Sequence, residues 1–138
     1  MEQRSRWIFE NLYLECTAGT PPTSTRVMTM TSAPFRVAGN KLALLGYVIN
    51  SSGLAGSDPL TVEILGAIVP NGTKPIVVDT PAITAGGPMQ FDITSAGSDS
   101  GSVNAWYSPI VQVRVTLSAP TSGTARMILS IGLAESSQ

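Results

Sequence analysis

The stretch Val111-Gln112-Val113-Arg114-Val115-Thr116-Leu117 alternates apolar and polar side chains without a break. Successive side chains of a β-strand point to opposite faces, whereas a helix brings together residues that are three and four positions apart. The alternation therefore predicts a β-strand. Its apolar side chains should be buried in a core, and its polar side chains should lie on the other face.

Segments on both sides of this strand repeat the pattern. Residues 89–94 (MQFDIT) alternate in the same way, and so do residues 127–133 near the end of the chain. The connector at residues 118–124 (SAPTSGT) is rich in turn-forming residues, so it predicts an antiparallel hairpin between strand 111–117 and the last strand. The remaining strands are predicted at residues 6–16, 25–32, 41–50, 60–69 and 74–79.

The fold class follows from these strands and from what separates them. Ten prolines and thirteen glycines interrupt the chain, and no segment keeps an apolar period of 3.6 residues. We expect an all-β protein, an antiparallel β-sandwich of jelly-roll type with about eight strands, because a βαβ fold would need crossover helices. A single domain should span residues 1–138. Within residues 1–25, the Thr- and Pro-rich part at 17–25 is either an extended arm or an ordered loop.

Two predicted strands are apolar on both faces. In strand 41–50, one face carries Leu42, Leu44 and Val48, and the other carries Leu45, Tyr47 and Ile49. Segment 60–69 has the same character. A strand of this kind is either central in the core or covered by a neighbouring subunit. Leu45 and Tyr47 are therefore candidate interface or ligand contacts.

The predicted strand 6–16 contains the one cysteine of the chain. Simple alternation would place Trp7, Phe9 and Tyr13 on one face and Ile8, Leu12 and Leu14 on the other. No Lys, Arg or His lies beside Cys16 in the sequence to lower the pKa of its thiol. We expect Cys16 to be a small buried hydrophobic residue rather than a reactive group.

The residues that usually carry out catalysis are missing or scattered. Histidine is absent, which excludes the commonest general base and the serine–histidine and cysteine–histidine nucleophile systems. A single cysteine cannot make a zinc site. Asp58, Asp79, Asp92 and Asp99 fall in separate loops or strands, so neither a pair of catalytic carboxylates nor a calcium site is predicted. We predict no enzymatic activity, no catalytic residues, no metal and no cofactor.

Charge and hydropathy also limit the partners. The net charge is −1 and the Arg residues are dispersed, whereas nucleic-acid binding normally needs a basic surface. No apolar run approaches the roughly 18 residues that cross a bilayer. Charged residues interrupt the N-terminal apolar segment, so it does not resemble a secretory signal. We expect no nucleic-acid or membrane partner, and synthesis in a cytoplasm.

The adjacent aromatic residues Trp106 and Tyr107 follow a Gly- and Ser-rich loop. An exposed aromatic pair can anchor a protein interface or stack on a sugar ring. The alternative is that Trp106 closes one end of the sandwich as a core residue. Both residues are candidate interface or ligand contacts.

Three segments carry a resemblance to known proteins: the Thr- and Pro-rich residues 17–25 (TAGTPPTST), residues 105–118 (AWYSPIVQVRVTLS) and the closing pair of strands. With these, the chain resembles the small all-β structural proteins of tailed bacteriophages, especially capsid decoration (cement) proteins. The resemblance implies a protein on the outside of the phage head, often a trimer, that binds the major capsid protein and copies of itself. It implies synthesis in the bacterial host cytoplasm and location on the capsid surface of the virion.

Two other functions remain open. A carbohydrate-binding or receptor-binding module would also be a β-sandwich, with a glycan stacked on Trp106 and Tyr107. A tail structural protein would also be rich in strands and built into an assembly. The sequence does not separate a strand that is buried in a core from one that is buried in an interface, and that distinction decides among these functions.

Overall fold

The structure is a computed structural model, and it describes residues 2–24, 26–36, 41–56, 58–66, 75–84, 86–93 and 110–137. Among these residues there are nine strands and no helix, and hence no helix that could span a membrane. The strands are β1 (Glu2–Thr17), β2 (Thr29–Thr31), β3 (Phe35–Arg36), β4 (Lys41–Ser52), β5 (Leu60–Gly66), β6 (Pro75–Asp79), β7 (Met89–Ile93), β8 (Ile110–Leu117) and β9 (Thr124–Ser137).

The strands form two antiparallel sheets. The four-stranded sheet has the order β1-β9-β4-β7, and the five-stranded sheet has the order β2-β8-β5-β6, with β3 also paired to β8. Buried side chains from both sheets form one hydrophobic core between them. The prediction of an all-β, antiparallel sandwich is therefore confirmed. The strand order, in which consecutive strands repeatedly change sheet, supports the jelly-roll connectivity, which stays a prediction.

The strand at 111–117 is the centre of this arrangement. Val111, Val113 and Val115 are completely buried and Leu117 is nearly so, as the alternation predicts. From the other sheet, β9 contributes five apolar residues to the same core: Ala125, Met127, Leu129, Ile131 and Leu133. Each of the two strands thus buries one face of a different sheet in the same core.

The predicted hairpin between these two strands is wrong. β8 pairs with β5 in the five-stranded sheet, while β9 pairs with β1 and β4 in the four-stranded sheet. The connector 118–124 therefore crosses from one sheet to the other instead of turning within one. Turn-forming residues permit both paths, because they determine where the chain bends and not which strand it meets next.

A bulge in β1 changes which side chains face the core. The pairing with β9 shifts between Trp7 and Phe9 and again between Phe9 and Leu12. Asn11 has a positive φ of 53°, and its N–H donates a hydrogen bond of 2.9 Å to Ser130 Oγ. Phe9 thus packs in the core, so its predicted place on one face with Trp7 and Tyr13 is wrong, whereas Trp7 and Tyr13 do share an exposed face. Extra residues at a bulge reverse the alternation of the strand.

The end of β1 holds the cysteine and leads into the Thr- and Pro-rich segment. Cys16 is 2% exposed and belongs to the core, and burial raises the pKa of its thiol. Its predicted role as a buried hydrophobic residue is confirmed. Beyond it, Thr17 and Thr23 exchange backbone hydrogen bonds of 2.8 and 3.2 Å, and Val27 O accepts one from the N–H of Glu15. The arm predicted within residues 1–25 stays a prediction.

Candidate interaction surface

The strand β4 presents apolar side chains on both of its faces. Leu44 and Val48 are completely buried in the core, whereas Leu45 and Tyr47 are 38% and 39% exposed on the opposite side of the sheet. These are the two sequence-predicted candidates that the structure describes. Trp106 and Tyr107, the other two, lie outside the described residues, as does Asp99.

Strand pairing gathers further aromatic residues around Leu45 and Tyr47. Gly132 of β9 pairs with Trp7 of β1 on one side and with Leu45 of β4 on the other. One row further along, Tyr47 pairs with Ser130 and with Gln90 of β7. Paired residues of an antiparallel sheet project from the same face.

The next row adds Tyr13, which pairs with Ile128 of β9. We use the name outer face for the surface of the four-stranded sheet formed by Trp7, Tyr13, Leu45, Tyr47, Gln90, Ile128, Ser130 and Gly132. It holds four of the five large hydrophobic side chains that are most exposed among the described residues. Exposed apolar side chains are ordinary when single, but several together on one face mark an interaction surface.

A groove runs through the apolar part of the outer face. It has a volume of about 430 Å³ and lies between Trp7 on one side and Leu45 and Tyr47 on the other. Gly132 makes room for it, because it carries no side chain in the row between Trp7 and Leu45. A methyl group added at Gly132 would lie 3.5 Å from the nearest carbon of the Trp7 indole, so the ring rests beside this glycine. Trp7 is nevertheless 56% exposed.

The opposite end of the outer face is polar. The hydroxyl of Tyr13 donates a hydrogen bond of 2.9 Å to Glu15, and Arg126 forms a 3.4 Å ion pair with the same carboxylate. The guanidinium carbon of Arg26 lies 5.6 Å from the centre of the Tyr13 ring, within the range of a cation–π contact. Glu15 therefore offsets the charge of one of the two arginines described at this end.

Among the described residues, Arg6 is the one cation that borders the groove, and it is directed to the other sheet. Arg6 lines the groove together with Ser5, but its guanidinium lies 5.1 Å from the centre of the Phe35 ring on β3. It also donates a 2.9 Å hydrogen bond to the carbonyl of Arg36. The aromatic part of the groove is thus bordered by uncharged described side chains: Ser5, Trp7, Leu45, Tyr47 and Gln90.

The five-stranded sheet presents a different surface. Glu63 and Arg114 pair across β5 and β8, with two hydrogen bonds of 2.8 and 2.7 Å between guanidinium and carboxylate. Beside them, Thr29 and Thr116 are paired across β2 and β8, with their hydroxyls 3.4 Å apart. The outward side of this sheet is polar in these rows, so the two faces of the sandwich differ in chemistry.

The described side chains include neither a metal-binding cluster nor an exposed thiol. Among them, no group of three or more His, Cys, Asp or Glu residues is close enough to hold a metal ion. Cys16 is buried, and burial raises its pKa, which opposes the thiolate form that a nucleophile needs. What the outer face can do is bind, through apolar contact and ring stacking.

Sequence reasoning identified Leu45 and Tyr47 but missed Trp7 and Gly132. Trp7 was assigned to the same face as Phe9, because alternation alone does not reveal a bulge. The only local signal was the polar pair Glu10-Asn11 within an apolar strand. Asn tolerates a positive φ better than most residues, so it is a plausible site for such an irregularity.

Comparisons with known proteins identify no family. No protein-family model matches the chain. No curated protein matches it either. One solved structure aligns with it, from a study of Bacillus endospore appendages as a novel family of disulfide-linked pili. The alignment covers 98% of this chain and 88% of that chain, with 12% sequence identity and a TM-score of 0.32. A TM-score this low supports no conclusion about this chain.

Proposed function

We propose that this chain is a structural virion protein, a capsid decoration (cement) protein that acts by binding other protein subunits and not by catalysis. The observation that supports the proposal is the outer face, where Trp7, Tyr13, Leu45 and Tyr47 are exposed on one side of a regular sheet. Aromatic anchors inside a polar rim are the usual composition of a protein interface.

The size of the outer face agrees with a protein partner. Three strands at a spacing of about 4.8 Å, taken over the twelve residues of β4 at about 3.4 Å per residue, and the five residues of β7 together give a surface of roughly 670 Å². A stable protein interface buries about 800 Å² on each partner. The sparse charge on this face also supports burial, because few ions would have to lose their hydration.

The proposed partners are the major capsid protein and further copies of this chain, and the proposed location is the outside of the phage head. A rigid sandwich with jelly-roll connectivity would hold one apolar face in a fixed orientation. Bound across a boundary between capsid subunits, it would add contact area there and resist expansion of the shell. No cofactor, metal or nucleic acid takes part in this proposal.

The test is to prepare virions of the encoding phage with and without this gene. We expect the protein in purified virions, in a fixed ratio to the major capsid protein. Heads without it should release their DNA at a lower temperature, and added purified protein should restore the release temperature. Absence of the protein from purified virions, or identical release temperatures, would contradict the proposal.

A second candidate function is carbohydrate binding. Its specific support is the groove itself, because Trp7 and Tyr47 flank a cleft whose volume is in the range of small-molecule sites. Aromatic rings at the two sides of a cleft can stack on sugar rings. The test is binding to an array of glycans, with Trp7→Ala as the disrupting variant.

The matched control in the glycan test is Val27→Ala. Val27 is also an exposed large hydrophobic residue, but it lies in the segment between β1 and β2 and outside the outer face. Carbohydrate binding predicts a signal that Trp7→Ala removes and Val27→Ala retains. A blank array with well-folded protein would rule out this second function for the glycans tested and leave the first unaffected.

A further inference from the structure

We infer that the outer face is the surface through which two copies of this chain pack against each other in a two-fold pair. The inference rests on the proposal that this protein functions by assembly. Of the two proposed partners, it assigns the outer face to a further copy of this chain. It is carried by the charge of the face, by its area and by the arrangement of Trp7, Gly132 and Leu45.

The charge of the outer face fits a copy of itself. The aromatic part of the groove is bordered by uncharged described side chains, and Arg6 turns away to Phe35. At the other end, Glu15 and Arg126 already form an ion pair within one chain. A surface with few charges meets little electrostatic repulsion when it packs against a copy of itself.

The row of Trp7, Gly132 and Leu45 gives each copy both a projection and a recess. Trp7 is 56% exposed and projects from β1, while the groove beside Gly132 opens toward β4. When one surface carries both a projection and a recess, two copies related by a two-fold axis can each insert the projection into the recess of the other. A ring such as a trimer would need two different surfaces on each copy.

The edge of the sheet is a weaker alternative for self-association. β1 is an edge strand of sixteen residues, and a long edge can pair with another chain. However, its bulge with Asn11 at positive φ breaks the regular ladder, and the backbone hydrogen bonds to Thr23 and Val27 occupy its last part. Bulges of this kind are a common protection against edge pairing. The face is therefore the better surface.

The first measurement is the mass of the purified full chain by light scattering behind a sizing column, over a range of concentrations. We expect a reversible equilibrium between one and two copies. Leu45→Lys should raise the dissociation constant of the pair by about thirtyfold or more, because it places a charge at the centre of the interface. Tyr47→Lys is the second variant, and Val27→Lys is the control that should leave the constant unchanged.

A spectroscopic readout reports directly on the outer face. In Trp106→Phe, Trp7 is the only tryptophan of the chain. Its emission should shift to longer wavelength on dilution, since the indole becomes more hydrated when the pair separates. The same shift should be present at all concentrations in the variant that also carries Leu45→Lys.

Three outcomes would overturn the inference. The first is a single copy at every concentration, and the second is a closed trimer. The third is a pair that dissociates equally in Val27→Lys and Leu45→Lys, both still folded by circular dichroism. Each outcome is independent of the virion experiment: a chain present in virions but always single in solution retains the proposed function and loses the pair. A chain that pairs in solution but is absent from virions retains the pair and loses the proposed function.

Discussion

Gly46 on β4 and Phe91 on β7 are paired across the four-stranded sheet, and the phenyl ring occupies the space into which a side chain at position 46 would project. Both residues are buried. The tip of the ring can therefore lie against the backbone of β4 only because the residue there is glycine. This contact holds β7, the short edge strand, against the strand that carries Leu45 and Tyr47.

We predict that Gly46→Ala lowers the free energy of unfolding by about 1–3 kcal/mol, because the methyl group forces the Phe91 ring or the backbone to move. The measurement is urea denaturation. Gly132→Ala is the control, since its methyl group would lie in ordinary contact with Trp7. The control should be close to neutral, and equal losses in the two variants would contradict this account of Gly46.

The bulge in β1 gives a second prediction. Asn11 has a φ of 53°, a conformation that glycine adopts freely and that β-branched residues strongly disfavour. Asn11→Gly should leave the free energy of unfolding nearly unchanged, whereas Asn11→Val should lower it by about 1–3 kcal/mol. Thermal unfolding of both variants is the measurement. If the two variants behaved alike, the positive φ would not be a requirement at this position.

Ser130 stabilises the same bulge in β1, because its buried hydroxyl accepts the hydrogen bond from the N–H of Asn11. Ser130→Ala should lower the free energy of unfolding by about 1–2 kcal/mol, since the N–H loses its acceptor. Combined with Asn11→Val, the loss should be less than the sum of the two single losses, because both variants disturb one bulge.

The Glu63–Arg114 pair gives a third prediction. A double-mutant cycle with Glu63→Gln and Arg114→Met should give a coupling of about 1 kcal/mol, at the upper end of the range for cross-strand charge pairs because the pair is bidentate and only partly exposed. The hydrogen bonds from Arg114 to Glu63 raise the pKa of the guanidinium, with burial opposing this and the Coulomb attraction adding to it.

The direction of the pKa shift of Arg114 determines how the coupling between Glu63 and Arg114 depends on pH. A cation whose pKa is raised by folding contributes its stabilisation at every pH below its unfolded value and loses it only as the pH rises through the folded value. For an arginine both values are strongly alkaline. The coupling should therefore be the same at pH 7 and pH 9, and a marked decline across that interval would contradict the assignment.

Cys16 gives a fourth prediction, which concerns chemical reactivity. Burial raises the pKa of this thiol, so at neutral pH its alkylation by iodoacetamide should be on the order of a hundredfold slower in the native protein than in denaturant. Because the folded state holds the proton of the Cys16 thiol more tightly, protonation of this thiol stabilises the folded state. This stabilisation is complete below the pKa of the thiol in the unfolded chain, and it is lost as the pH rises through its pKa in the folded state. Alkylation as fast as that of an unfolded chain would contradict the burial of Cys16.

The parts of this fold that the sequence predicts are those with an unbroken local pattern. Val111, Val113 and Val115 face the core because alternation in a regular strand leaves one choice. The sequence also shows that β4 is apolar on both faces. Because Leu44 and Val48 fill its core side, Leu45 and Tyr47 are identified as the apolar residues of its outer side. Local sequence determines which side chains need burial.

Two features of the fold cannot be predicted from local sequence patterns. The connector 118–124 has the same turn-forming residues whether it joins neighbouring strands or crosses the sandwich, and the choice depends on distant partners of β8 and β9. The separation of Phe9 from Trp7 depends on the irregularity of β1, because its pairing with β9 shifts between these two residues. A shift of one residue exchanges the faces of a strand, so alternation alone places the buried Phe9 beside the exposed Trp7.

The last prediction separates the outer face from the core of the monomer. Trp7→Ala should change the free energy of unfolding of dilute protein by less than about 1 kcal/mol, because most of the indole is already in contact with water. Leu129→Ala, at a completely buried position of β9, should lower it by about 2–5 kcal/mol. Denaturation of both variants at low protein concentration is the measurement. A loss in Trp7→Ala as large as that in Leu129→Ala would mean that the indole stabilises the single chain, and the outer face would then belong to the fold rather than to a partner.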